Sequence, residues 1–136
     1  MRAIIFILFL IGAANSYSQP IKYNGMYESK IGDVYSTYIR FYPDGIILKT
    51  TTESKSIEVI RKLLDYENLE ERQSGFFIAD KDEFTISTIG PNLKQTYILT
   101  GIFKSKEAFE LTIHRYDEGM VKSNKYEHLF VFRPFE

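Results

Sequence analysis

Apolar and polar side chains alternate along most of the chain after residue 22, with the period of two that is typical of half-buried β-strands. The pattern is clearest from Ala108 to Arg115, which predicts Phe109, Leu111 and Ile113 facing a core. Other strands are predicted at Tyr23–Ser29, Val34–Tyr42, from Ile46, Gly75–Ala79, Glu83–Thr88, Gln95–Lys104 and Tyr126–Arg133. The chain therefore consists mainly of β-strands.

A three-residue hairpin loop is predicted at Pro43-Asp44-Gly45. Proline suits the first central position of a type I turn, and Gly45 accepts the left-handed conformation that follows. This loop would pair Phe41 with Ile47 and Arg40 with Leu48. We expect three side chains of this hairpin to face inward, because the opposite face carries Arg40: Ile39, Phe41 and Ile47.

The alternation gives way to a helical period where Ile57, Ile60 and Leu64 recur at intervals of three and four residues. Ser54 or Ser56 would cap this helix. We expect its apolar stripe to plug one end of the structure that the strands build. An exposed helix that binds a partner is the alternative.

The remaining strands are joined mostly by short loops, among them a turn at 80–82. Gly101, in the middle of its strand, suggests a bulge or a sharp bend. Sequential antiparallel strands without long crossovers predict an all-β fold with one helix. The expected fold is an eight-stranded antiparallel up-and-down barrel with the helix between strands 3 and 4, and two packed sheets are the alternative.

The first residues have the layout of a secretory signal peptide: Arg2, an apolar run at 3–14, and a small polar stretch. Ser16 and Ser18 suit signal peptidase, so we expect residues 1–18 to be removed and 19–136 to form one domain. A buried N-terminal helix is the alternative. The apolar run is shorter than the roughly 20 residues of a membrane helix, and none follows, so we expect no membrane span in the mature chain.

Composition excludes several classes of function. Of 17 basic and 18 acidic side chains, loss of Arg2 leaves 16 basic ones, and the charges form no basic stripe. We therefore expect no nucleic-acid partner. The chain has no cysteine, so disulfides, cysteine catalysis and a lipidated cysteine are excluded. Export would place the protein in the periplasm or outside the cell.

Gly25-Met26-Tyr27 on the first strand and Arg133 on the last resemble the layout of lipocalins and their calycin-type relatives. The chain also resembles small secreted bacterial proteins described as lipocalin-like, in the stretches "YIRFYPDGIIL" and "GFFIADKDEFTI". The resemblance implies a lipocalin-like barrel in which Tyr27 takes the place of the family's tryptophan. It also implies that Arg133 covers the Tyr27 ring by a cation–π contact.

Candidate catalytic and metal-binding groups are sparse. A serine triad would need His114 or His128, and no nucleophile elbow is present. The two histidines would lie nearly opposite each other if strands 7 and 8 pair around residues 119–120, so a metal site there stays open, with a solvated pair as the alternative. Calcium at Asp80, Asp82 and Glu83 is disfavoured, because the spacing of an EF-hand is absent. We expect no enzyme, no catalytic residues, no cofactor and no metal.

Aromatic side chains are abundant, and tyrosines beyond the needs of the core could line a pocket. We expect a non-enzymatic protein that binds a small apolar or amphipathic ligand. Its predicted ligand-binding residues are Phe41, Phe84, Tyr97, Phe109 and Leu111. The alternative is a cell-envelope module with a solid barrel that binds another protein, for which an exposed patch at Tyr38, Tyr42 and Leu48 would count.

Overall fold

The computed structural model describes residues 20–68, 73–89, 95–117, 120–122 and 127–136. The predicted leader, residues 1–18, lies outside them. The described elements are β1 (Gly25–Ile31), β2 (Tyr35–Phe41), β3 (Ile46–Thr52), α1 (Ile57–Leu63), a 3-10 turn (Tyr66–Asn68), β4 (Gln73–Asp80), β5 (Glu83–Ile89), β6 (Gln95–Phe103), β7 (Ala108–Asp117), β8 (Met120–Lys122) and β9 (Glu127–Pro134).

The strands form a closed antiparallel barrel. Each strand from β1 to β7 pairs with the next, and β9 lies between β7 and β1. The three-residue β8 pairs with the far end of β7, on the edge that β9 also uses. The wall thus has eight strands and a single short helix between β3 and β4, as predicted. Because the strands form one closed sheet, the alternative of two packed sheets is wrong.

The β2–β3 hairpin has the predicted loop and register. Gly45 has a φ of +90°, and the Tyr42 amide donates to the Ile46 carbonyl at 2.9 Å. Phe41 pairs with Ile47, and Arg40 pairs with Leu48. This register fixes the faces of both strands, so Ile39, Phe41 and Ile47 point inward and are buried as expected.

Aromatic rings fill one end of the barrel, the end that holds the start of β1 and the turns after β2 and β4. The ring centroids of Phe41 and Phe84 lie 5.2 Å apart, and those of Phe84 and Phe109 lie 4.9 Å apart. Tyr27, Phe103, Phe130 and Phe132 belong to the same cluster. We call this the aromatic end, and it is a solid core.

Gly101 does not mark a bulge, contrary to the prediction. Its strand keeps an unbroken register on both sides, with Gly101 opposite Phe84 on β5 and Leu111 on β7. The Phe84 ring lies where a side chain on residue 101 would be, so a Cβ would overlap it. Glycine is needed here because it leaves room for the Phe84 ring.

The helix does not plug an end of the barrel, also contrary to the prediction. Ile60 and Leu64, 1% and 0% exposed, pack with Met26, Tyr38 and Leu48 on the outer face of β1–β3. The Val59 amide donates to Ser56, the helix cap, at 3.4 Å. The outer wall of these strands is therefore a second small core.

This second core removes the exposed patch that was considered for partner binding. Tyr38 and Leu48 are buried under the helix, and Tyr42 is half-buried beside them. The Arg40 guanidinium, on the same face, lies between the rings of Tyr42 and Phe135 at 4.7 and 4.6 Å. In the part of the chain that the structure describes, no helix has the length and apolar character needed to cross a bilayer.

Candidate functional site

The predicted ligand-binding residues all face the barrel interior, but they do not form one pocket wall. Phe41, Phe84, Phe109 and Leu111 are buried in the main core. The first three have their rings against one another at the aromatic end. Tyr97 is only half-buried and pairs with Thr88, farther along the barrel. It therefore lies on the side of the interior that the rings do not fill.

Tyr27 anchors the aromatic end without the predicted arginine. Its hydroxyl accepts a hydrogen bond from the Lys22 amide at 3.0 Å, and burial raises the pKa of Tyr27 to about 12. Its ring lies 5.2 Å from that of Phe132. Arg133, the next residue, points outward because side chains alternate along β9, so the predicted cation–π contact is wrong. The nearby cation is Lys22, whose Nζ lies 4.9 Å from the Phe132 centroid.

The other end of the interior is lined by polar side chains, and we call it the polar end. Thr51 pairs with Thr37 one inward position beyond Lys49 and Ile39, and the two threonine hydroxyls lie 2.9 Å apart. Thr51 is exposed although it lies in an inward register, so water reaches this end. The inward positions of this end include Ser29, Thr37, Lys49, Thr51, Thr88, Tyr97 and His128.

Lys49 is a lysine that β3 directs into the barrel. It follows Ile47 by two positions and pairs with Ile39, which is fully buried, so its side chain shares their inward face. Desolvation by burial lowers the pKa of Lys49. No hydrogen bond or ion pair to its ammonium group occurs among the described residues. A bound anion would offset the cost of removing this ammonium group from water.

Sequence reasoning missed Lys49, although the signal was present. Once Ile47 is taken as inward, a period of two places residue 49 on the same face. The prediction followed apolar residues only, and an inward lysine interrupts that pattern. Packing alone does not explain a cation at an inward position, so such a residue indicates a binding site.

The two histidines do not converge. His128 pairs with Leu111 and shares its inward face, whereas His114 alternates with inward Ile113 and faces outward. The metal site that was left open at this pair is therefore not formed. Asp80 and Glu83 close the tight β4–β5 turn. Within the described ranges, no cluster of three metal-ligating side chains occurs.

A charged group lies on the outer wall where β1 meets β9. Tyr38 donates to Oε2 of Glu28 at 2.6 Å, and Nε of Arg133 donates to its Oε1 at 3.2 Å. Burial acts to raise the pKa of Glu28, but these two hydrogen bonds outweigh it and lower the pKa. The same burial and the Glu28 carboxylate raise the pKa of Tyr38 to about 12.

The surface clefts of the described residues include two that lie beside charged side chains. A cleft of about 580 Å³ at the aromatic end contains Lys22 and Lys104, but these are ion-paired with Glu107 and Glu110. A second cleft, of about 480 Å³, lies beside Glu28 and Arg133 and reaches the inward residues Ser29 and His128. The lining of the second cleft thus includes two residues of the polar end.

Comparisons with known proteins support the architecture. No family model matches the sequence, and no curated protein matches it. The fold is similar to the crystal structure of Treponema pallidum Tp0751 (Pallilysin), with a TM-score of 0.55 and 8% sequence identity, over 96% of this chain and 94% of that chain. At this identity the similarity concerns the fold alone, which is a lipocalin-like β-barrel.

Proposed function

We propose that this protein is a non-enzymatic, exported carrier that holds a small amphipathic anion in the polar end of its barrel. The single observation that carries the proposal is Lys49, a desolvated cation on an inward position of β3. A structural lysine of the wall would face water, where its charge costs nothing. An inward lysine lowers stability unless an anion accompanies it.

The surroundings of Lys49 indicate the kind of ligand. Apolar core residues lie toward the aromatic end, and Ile39, Ile86 and Leu99 are next to the polar positions. Threonine hydroxyls and Tyr97 supply polar contacts near the exposed mouth. A carboxylate with a short apolar chain matches this order: the acid pairs with Lys49 and the chain contacts the aliphatic side chains.

The test is binding of a dansyl-labelled fatty acid, compared with its uncharged methyl ester. We expect the acid to bind with a saturable rise in fluorescence, and Lys49→Met to weaken the acid about tenfold, since one charge-assisted contact is lost. The ester should bind both proteins equally. Lys106→Met, at an exposed lysine of the aromatic end, is the matched control.

Equal binding of the acid to the native protein and to Lys49→Met would overturn the proposal, as would no binding to either. Native mass spectrometry of protein purified from its own host gives an independent readout. A co-purified acid supports the carrier. The mass of the mature chain tests export in the same measurement, because cleavage after Ser18 would leave Gln19 as the first residue.

A second candidate function, a protein–protein module of the cell envelope, rests on β4. Phe76 and Ile78 are 71% and 79% exposed and lie two positions apart on the outer face. Adjacent exposed side chains of this size are unusual on a monomer. Capture of a partner by the native protein, lost in Phe76→Ser/Ile78→Ser, would favour this function. Equal capture by both proteins would count against it.

A further inference from the structure

At β1 and β9, the described barrel wall has a stretch in which neighbouring strands are not paired. The pairing of β1 with β9 begins at Gly25, which lies opposite Pro134, and ends at Glu28, which lies opposite Val131. β1 continues to Ile31 and β9 begins at Glu127, but among the described residues these continuations pair only with β2 and β7. Their facing backbone groups therefore do not form a ladder, and we call this stretch the seam.

The 480 Å³ cleft lies at the seam. It is lined by outward residues and also by two inward ones. Ser29 follows inward Tyr27 by two positions and is 5% exposed, and His128 shares the inward face of Leu111. The outward residues that complete the lining are Glu28, Lys30, Leu129, Val131 and Arg133. The lining of this cleft therefore includes residues from both faces of the wall.

The lining is amphipathic and carries more positive than negative charge. Leu129 and Val131 are 53% and 37% exposed on its outer side. Lys30 and Arg133 are cationic, whereas the one carboxylate, Glu28, is already held by Tyr38 and Arg133. An apolar chain with an acidic headgroup fits this combination better than a neutral or cationic molecule.

We propose that the seam is a side port through which the amphipathic anion reaches the polar end, with Lys30 attracting its headgroup. This inference rests on the proposed carrier function. The missing ladder lets the two strands separate locally without breaking backbone hydrogen bonds, which elsewhere in the wall would be lost. Glu28 with its partners Tyr38 and Arg133 marks the point at which the paired wall resumes.

A disulfide across the seam tests the port. Lys30 and Leu129 both line the cleft, and extrapolating the register of Glu28 and Val131 puts them on facing positions, so Lys30→Cys/Leu129→Cys is the pair to oxidise in a chain that has no other cysteine. We expect oxidation to slow both uptake and release of the dansyl-labelled fatty acid by about tenfold or more, with little change in affinity. Reduction should restore both rates.

The matched control is Thr85→Cys/Thr100→Cys, a directly opposed pair in the continuous β5–β6 ladder. Its oxidised and reduced forms should exchange the probe at the same rate. An oxidised seam variant that exchanges as fast as its reduced form would overturn the port while the carrier function stands. A probe that fails to bind even the native protein would overturn both.

A charge variant provides a second readout that needs no disulfide. Lys30→Glu should lower the association rate of the acid several-fold and weaken its dependence on salt, because steering by this cation is lost. Lys106→Glu, at the aromatic end, should leave the rate unchanged. Equal effects of the two variants would contradict a role for the seam.

Discussion

The ring of Phe84 lies against the backbone of Gly101 on the neighbouring strand, in the space that a side chain would occupy. Gly101→Ala should therefore lower the free energy of unfolding by about 2 kcal/mol, because the added methyl group forces Phe84 out of its packed position. Urea denaturation measures this loss. Thr85→Ala, at an exposed position, is the control and should cost less than about 0.5 kcal/mol.

A double variant identifies the cause of that loss. In a Phe84→Leu background, Gly101→Ala should cost clearly less, because the smaller side chain leaves room. An unchanged cost would mean that the backbone at residue 101, and not the ring, requires glycine.

The packing of α1 on the outer wall predicts a large difference between its two faces. Leu64→Ala, in the second core, should lower the free energy of unfolding by about 3 kcal/mol. Val59→Ala, on the exposed face of the helix, should change it by less than about 0.5 kcal/mol. Similar values for the two variants would contradict the buried contact with Tyr38 and Leu48.

Glu28 predicts a specific acid sensitivity. Because its folded-state pKa is lowered, Glu28 contributes stability at neutral pH that is lost as the pH falls below about 4.3, its unfolded value, and through the folded value. Glu28→Gln should be less stable at pH 7 and should lose less stability below pH 4.3. Tyr38→Phe, which removes one of the two hydrogen bonds, should give an intermediate slope in urea titrations. A slope in Glu28→Gln equal to that of the native protein would refute this account.

Lys49 predicts a second pH effect, at high pH, because its charged form lowers the stability of the fold at neutral pH. Its lowered pKa means that the unfolded chain binds the proton more readily, so stability rises with pH between the folded value and about 10.4, the unfolded one. Lys49→Met should unfold at a higher temperature at pH 7 and should lack this rise. Lys106→Met should behave as the native protein does. If Lys49→Met were less stable than the native protein, Lys49 would stabilise the fold, which would contradict its role as a ligand-binding residue.

Local patterns predicted the wall well, because turn chemistry and alternation act over a few residues. Pro43 and Gly45 specify their loop, and the loop fixes the register of Phe41 with Ile47. The faces of Phe84 and Phe109 followed from the same period of two. The eight-stranded barrel then follows from the number of short, sequential strands.

Long-range relationships were beyond the sequence. The stripe of Ile60 and Leu64 indicates that the helix is covered, but not that the outer face of β2–β3 covers it. Whether Arg133 points inward or outward depends on the register of β9 relative to Tyr27 on β1. A shift of that register by one residue moves a side chain from the core face to the surface face. The histidines separated for the same reason, since the register of β9 on β7 sets which residue His128 meets.

The pairing of β1 with β9 brings together strands that are about 100 residues apart in the sequence. During synthesis, the ribosome must release β9 before the barrel can close. Until then, apolar rings such as Phe109 lack part of their final cover. Contacts so distant along the chain slow folding, often to milliseconds or seconds.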